Sequence, residues 1–264
     1  MKRDYEKDEN NETNEKSELF RLFRYFRLFR NLSSFSERSN QSELMDGSDY
    51  TINELVDNLA DLRRVNSWFG GQNAITSHLF PMIDNAGRNH LRILDVGTGS
   101  ADIPQKIVVW ARSRGIKLDF IVLDLNEIVV REARSQTAGY PEISVIRSDA
   151  NNLPFDDCSF DFVLASLFLH HFENHQAASL IRDFYRVARL TFIINDLRRH
   201  PIAYYSSKLI TRILTRNRLV RNDASLSVLR GFTESDIAEI AGRSSMRLRT
   251  FRHFPYRLII IGHK

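Results

Sequence analysis

Residues 91–115 read LRILDVGTGSADIPQKIVVWARSRG, and this stretch decides the fold. An apolar run ends at Asp95 and Val96, the chain turns on Gly97 and Gly99, and an amphipathic segment follows that Gly115 closes. The pattern predicts a strand, a tight turn and a helix. In doubly wound sheets such a turn, at the carboxyl end of a strand, is where ligands sit. Two glycines allow a sharp turn and a close approach of backbone to ligand. A dinucleotide fingerprint requires G-x-G-x-x-G, yet the sixth position from Gly97 is Asp102, whose charge repels a pyrophosphate. No Gly-Lys-Ser/Thr follows, which excludes a P-loop. The turn therefore suits a ligand without phosphates and with positive charge, for which Asp95 is the acid. Asp102 is expected to cap the helix, where acids are favoured.

Downstream, strands and helices alternate. KLDFIVLDLN, ISVIRSD, FDFVLASL and LTFIIND read as strands; NEIVVREARSQ and residues 174–186 read as helices. Helices are expected at 203–216 and 233–242, and then a hairpin in which MRLRTFRHF and YRLIIIGH flank Pro255. The predicted class is α/β: a doubly wound Rossmann-like sheet, mostly parallel, with a C-terminal antiparallel hairpin strand. Upstream, Thr51 and Glu54 have capping-box spacing, and Ile52, Leu55, Val56, Leu59, Leu62 and Val65 recur at helical intervals until Gly70 and Gly71. A second helical stretch contains Pro81. The domain is expected over 50–264, with an N-terminal helical cap at 50–88 and an insertion at 197–232 that exceeds what a sheet crossover requires. Residues 1–49 are expected to hold a disordered acidic tail, a basic aromatic helix and a linker.

Composition narrows the class. The 264 residues are 42% hydrophobic, and no apolar run reaches the roughly 18 residues of a membrane span. The single cysteine, Cys158, excludes an internal disulfide and a multi-cysteine metal site. A charged N-terminus without an apolar segment leads to the expectation of a cytoplasmic protein. The formal net charge is +4, distributed unevenly: residues 2–18 carry seven acids against four bases, and residues 198–222 carry seven Lys/Arg and no acid. FRLFRYFRLFR, residues 20–30, has arginines at 21, 24, 27 and 30 on about half of a helix, with most of its Phe and Leu opposite. It either packs on the body or gives peripheral membrane contact.

DVGTGSAD resembles the first motif of the class I S-adenosylmethionine-dependent methyltransferases, whose cofactor is net cationic and has no phosphate. IVLDLN, RSDANNLPF and DDCSFDFVLASLFLHHF resemble the later motifs in order and spacing, and the resemblance covers about residues 50–262. It implies S-adenosyl-L-methionine as cofactor, held around Asp95, Gly97, Thr98 and Gly99. Asp124, with Leu125 beside it, is implied to hold the ribose hydroxyls. Asp149 would accept from the adenine amino group, Ala150 would offer its amide, and Ser166 ends the fourth strand at the site. The resemblance also implies that the insertion at 197–232 is a substrate cap. Two departures are Ala101, where many relatives have glycine, and the absence of a Pro-Gly-Gly turn before the fifth strand. Within the family the sequence looks most like small-molecule enzymes related to quinone and polyketide or phenolic lipid biosynthesis.

Methyl transfer is an in-line displacement for which the protein supplies position and field. Candidate bases at the carboxyl edge are His170 and His171 past the fourth strand and His200 past the fifth, since the imidazole pKa lies near neutrality. Adjacent histidines do not both face one site, so one of the pair is expected to be structural. Asp196 is expected to bind a substrate hydroxyl or to pair with Arg198 or Arg199. Tyr204 stands on the same edge. No metal is expected, because histidines 170, 171 and 175 have only Glu173 nearby in sequence. The apolar face of the insertion helix (Leu209, Ile213, Leu214) suits a fairly apolar small-molecule acceptor methylated at oxygen. The rival readings are a nucleic-acid methyltransferase that uses the basic 198–222 segment and a non-catalytic cofactor-binding protein. Against the first, no base-flipping N/D-P-P-Y/F motif follows the fourth strand.

Overall fold

The computed structural model describes residues 35–68 and 70–264. The acidic tail and the FRLFRYFRLFR segment lie outside the described residues. Residues 39–264 form one compact unit.

Seven strands form one sheet: β1 (His90–Val96), β2 (Lys117–Asp124), β3 (Ile143–Arg147), β4 (Phe160–Ser166), β5 (Ala188–Leu197), β6 (Leu248–His253) and β7 (Arg257–His263). Their order is β3-β2-β1-β4-β5-β7-β6. The first five are parallel, and β7 runs antiparallel between β5 and β6. Eight α-helices lie among the described residues: α1 (Ile52–Trp68), α2 (Gly71–Ala86), α3 (Asp102–Ser113), α4 (Glu127–Gln136), α5 (Asn174–Val187), α6 (Pro201–Leu214), α7 (Arg218–Arg230) and α8 (Glu234–Ser244).

The expected α/β class, the parallel strands and the terminal hairpin are all present. The Thr51–Glu54 box starts α1, with Thr51 N–H donating to Glu54 and Glu54 N–H to Thr51. One helix was not expected. Residues 218–230 form α7, capped by Asn217, whose side chain accepts from Leu219 N–H.

Side-chain alternation along the strands separates two cores. Leu91 and Ile93 of β1 pack with Ile75, Leu79 and Ile107 of α2 and α3. Leu94 and Val96 pack on the other face with Leu180, Phe184 and Ile240 of α5 and α8. This parity places Asp95 on the face covered by α2 and α3.

Candidate active site

The β1–α3 turn is built as its residues demand. Gly97 and Gly99 both have positive φ, 70° and 55°. The amides of Gly97 and Thr98 donate to the Leu123 carbonyl at 2.9 and 3.1 Å, which fastens the turn to β2. The two glycines are needed for different reasons. A Cβ on Gly97 would meet the Phe168 ring at 2.2 Å, so the close approach there is that of a side chain. A Cβ on Gly99 would meet nothing within 4 Å, so only its backbone conformation selects glycine. Ala101 is also left-handed, with φ 55°, at the N-cap of α3. Ala101 therefore takes the cap position expected for Asp102. Asp102 begins the helix and accepts from Gln72 Nε2 at 2.8 Å, a link from α2 to α3.

Asp95 is 2% exposed. Its Oδ2 accepts from the Thr98 hydroxyl at 2.7 Å, and its Oδ1 is buried with no partner among the described residues. Burial pushes its pKa up to about 7, the neighbouring charges of Asp102 and Asp124 add to this, and Thr98 opposes it. A buried carboxylate with an idle oxygen is costly unless a cation or donor joins it. Asp124 ends β2 next to the same turn. Its Oδ1 accepts from Asn126 N–H at 3.0 Å and its Oδ2 from Gly99 N–H at 3.4 Å. Burial raises its pKa, against those amide donors. Leu125 is 59% exposed beside it. Asp149 ends the β3 loop, exposed, and its Oδ1 accepts from both the backbone and side-chain nitrogens of Asn151 at 2.9 Å; Ala150 follows, buried. Ser166 ends β4 and accepts from Asn195 Nδ2 at 2.8 Å. An acid at the end of each of β1 and β2, a third after β3 and a glycine turn between the first two fit a net-cationic nucleoside with a free diol.

The histidines are arranged differently from expectation. His170 is buried on the α5 side of the sheet. Its Nδ1 meets Asp196 Oδ1 at 2.7 Å, its backbone N–H donates to Asp196 Oδ2 at 3.0 Å, and its Nε2 faces Glu43 Oε1 at 3.4 Å. Burial alone would lower its pKa; the two carboxylates reverse this and raise it to about 10. Asp196 and Glu43 are raised by burial but held below their ordinary values by the imidazolium. His170 is thus a fixed cation and a poor base. Asp196 binds His170, and neither Arg198 nor Arg199 is its partner: Arg198 pairs with Glu234 at 3.6 Å and Arg199 with Asp236 at 3.0 Å. Asp196 alternates onto the opposite face from Asp95, which is why it does not meet the turn. His171 is partly exposed and its Nδ1 meets Asp46 Oδ2 at 3.1 Å. His200 caps α6, its Nδ1 accepting from Ile202 N–H at 3.2 Å, and stacks on Tyr256. Burial and then Arg198 lower its pKa. The acids missing from the sequence neighbourhood of the histidines come from the segment read as linker. Glu43, His170 and His171 offer ligand atoms within 4.8 Å of one another. The Arg230 guanidinium stands 3.9 Å from Glu43 and 4.0 Å from Asp46, which favours an ion-pair network there.

Of the basic 198–222 segment, Arg198, Arg199 and Arg218 pair with carboxylates. Lys208 reaches the Tyr204 hydroxyl, and Arg221 donates to the Thr215 and Arg212 carbonyls. Few of these cations are left to meet phosphates. An open concavity of about 660 Å³ lies at the opposite, amino edge of β1 and β2 among His90, Arg92, Lys117 and Glu142. The doubly wound rule and the acids place the site at the carboxyl edge instead.

Residues 93–190 match a family described as "Methyltransferase domain". A ubiquinone/menaquinone biosynthesis C-methyltransferase of Rickettsia bellii is 27% identical over 144 residues, 52% of this chain and 56% of that protein. A demethylmenaquinone methyltransferase of Staphylococcus epidermidis is 31% identical over 98 residues, 37% and 39% of the two chains. The chain thus spans about half or less of the length of these curated relatives. Among solved structures, the magnesium protoporphyrin IX methyltransferase of Synechocystis with bound S-adenosylmethionine aligns over 83% of this chain and 86% of its own, with TM-score 0.51 and 16% identity. That likeness shows the fold. The family match and the curated relatives agree: over residues 93–190 the chain is similar to methyltransferase domains.

Proposed function

We propose that the protein transfers a methyl group from S-adenosylmethionine to a small, fairly apolar acceptor of phenol or quinone-like type. One observation carries the reading: the buried Asp95 carboxylate, with an idle oxygen, beside a glycine turn that also reaches Asp124. Asp95 offsets the cofactor's positive charge, Asp124 accepts from the ribose diol, and Asp149 and Ala150 border the adenine. When bound, the cofactor supplies an electrophilic methyl on sulfur; the protein orients it and excludes water.

The Rickettsia relative is named as a C-methyltransferase of ubiquinone/menaquinone biosynthesis, and the Staphylococcus relative as a demethylmenaquinone methyltransferase. The histidines favour carbon over the oxygen expected from sequence. His170 is locked between two carboxylates and His200 caps a helix, so neither is poised to deprotonate a hydroxyl. A phenol ionised on binding activates its own ring carbon and needs little further base. His171, partly exposed, is the remaining candidate base. The apolar acceptor agrees with α6, whose Ile202, Leu209 and Ile213 are 56, 62 and 73% exposed. The engaged arginines speak against a nucleic-acid substrate.

The test is transfer of label from methyl-labelled S-adenosylmethionine into a cell extract, followed by fractionation. Label in the organic phase is the expected result. Label in nucleic acid would overturn the acceptor class, and no measurable cofactor binding by calorimetry would overturn the activity.

A further inference from the structure

One row of side chains crosses the sheet at its carboxyl edge. The parity that puts Asp95 with Leu91 and Ile93 puts Ser166 with Leu164, Asn195 with Ile193, and Arg257 with Ile259 on the same α2–α3 face. Register staggers them along that edge by two residues at a time: Asp95 is opposite Leu164, Ser166 is opposite Asn195, and Arg257 is opposite Leu197, two residues beyond Asn195 on β5. The row runs from acid on β1, through neutral groups on β4 and β5, to a cation on β7.

Two further members of this row hold buried atoms without a partner among the described residues: Asn195 Oδ1 and Arg257 Nη1. Asn195 is fully buried, and its Nδ2 is committed to Ser166. Arg257 is 5% exposed, and its Nη2 donates to Asn66 Oδ1 of α1 at 2.9 Å. The start of α2 is shaped around this pair. A Cβ on Gly71 would fall 1.5 Å from Asn66 Oδ1 and 2.9 Å from Arg257 Nη2. The next residue, Gln72, reaches Asp102 at the start of α3. Arg257 is thereby tied across the edge to the turn that holds Asp95. An idle acceptor and an idle guanidinium donor, both buried, are each unfavourable alone. A ligand bearing a hydroxyl next to an anionic oxygen satisfies both. Burial lowers the Arg257 pKa only to about 10, so the group stays cationic at neutral pH.

We propose that Asn195 and Arg257 form the acceptor subsite and select an acceptor whose ring carries an ionised oxygen beside a hydroxyl, Arg257 Nη1 donating to the oxyanion and Asn195 Oδ1 accepting from the hydroxyl. This rests on the reading of Asp95 as the partner of the cofactor's cation. The cofactor's own carboxylate is the other source of such an oxyanion. It shares a carbon with the ammonium, however, while β7 lies three strand spacings from β1, roughly 14 Å. The acceptor therefore fits Arg257 better. α1 and α2 cover this end of the row, so acceptor entry requires their displacement.

The test uses the full chain and four probes: salicylate, its neutral analogue salicylamide, S-adenosylhomocysteine and methylthioadenosine, each titrated into wild type, Arg257→Gln and Asn66→Asp. Asn66→Asp neutralises the guanidinium in place and guards against a variant that fails to fold. Salicylate affinity is expected to fall at least about tenfold in both variants, the worth of a charge-assisted hydrogen bond. Affinities for salicylamide and S-adenosylhomocysteine are expected to stay within about twofold. Equal salicylate affinity in all three proteins, or none in wild type, overturns the subsite. A loss for S-adenosylhomocysteine without one for methylthioadenosine, which lacks the carboxylate, also overturns it and moves Arg257 to the cofactor. Failure of wild type to bind S-adenosylhomocysteine refutes the cofactor reading and leaves the salicylate comparison to decide on Arg257.

Discussion

Asp95 makes the cofactor's affinity a function of pH. In the free protein its pKa is raised to about 7, because the carboxylate is buried and faces Asp102 and Asp124. Below pH 7 it is therefore mostly protonated and neutral. The cationic cofactor requires it ionised, so binding below that pH releases a proton. At pH 6 about one molecule in eleven has Asp95 ionised, which weakens affinity roughly tenfold against the plateau, about 1.4 kcal/mol. The Kd for S-adenosylmethionine, measured by calorimetry from pH 5.5 to 7.5, is expected to fall about tenfold per pH unit and then level near pH 7. The binding heat is expected to vary with buffer ionisation enthalpy. S-adenosylhomocysteine lacks the sulfonium and is expected to show a shallower slope. Asp95→Asn is expected to weaken binding and abolish the slope. The same pKa has a stability consequence. A folded pKa of about 7 against 3.8 unfolded means that stability is complete below pH 3.8 and falls as pH rises to 7, by up to about 4 kcal/mol. Asp95→Asn is thus expected to stabilise the ligand-free protein at pH 8. A Kd independent of pH in wild type, or an unchanged slope in Asp95→Asn, would refute the reasoning.

Three other variants probe the rest of the site. Asp124→Ala is expected to weaken cofactor binding by about 1–3 kcal/mol, the cost of leaving hydroxyl partners unpaired, and unchanged affinity would show that the ribose lies elsewhere. His170→Ala leaves two buried carboxylates uncompensated and is expected to cost about 3–5 kcal/mol in urea unfolding. In wild type the His170 contribution is full below pH 6.5 and is lost as pH rises toward 10, whereas those of Glu43 and Asp196 are full above about pH 4.5 and are lost on acidification. A loss of turnover with unchanged stability would instead make His170 catalytic. Leu209→Ser with Ile213→Ser is expected to leave cofactor affinity unchanged and to raise KM for an apolar acceptor several-fold; an unaltered KM would remove α6 from acceptor capture.

The strand–turn–helix at 91–115 was legible because its signals are local: an apolar run, an acid at its end, and glycines where φ must be positive. The parallel order followed from alternation, and the hairpin from two apolar runs around Pro255. Helix α7 escaped because its buried residues are mixed, with Leu219, Val220, Leu226 and Val228 interrupted by polar groups. Asp223, Ser225, Ser227 and Arg230 are buried, and no amphipathic period marks such a face. Those residues are satisfied by a segment that reads as linker: Asp223 accepts from the amides of Leu44 and Met45, and Ser227 donates to Glu43. The pairing of His170 was illegible for the same reason, since its two carboxylates stand 26 and 127 positions away in the chain. Arg257 gave no signal at all. Only strand parity and register bring it into line with Asp95.

The sheet order also sets a schedule for folding. β7 is the latest of the seven strands in the chain, yet it lies between β5 and β6. While the chain is being made, β1 to β5 are complete about sixty residues before β7 emerges, and until then the β5 edge has no partner. A long apolar strand with a bare edge is prone to pairing with other chains. The pairing that closes it is among the most distant in sequence, so the closing loop is long and slow to form. The strand that shields this edge also delivers Arg257, so the chain completes its proposed acceptor subsite in the same event that ends its exposure to aggregation.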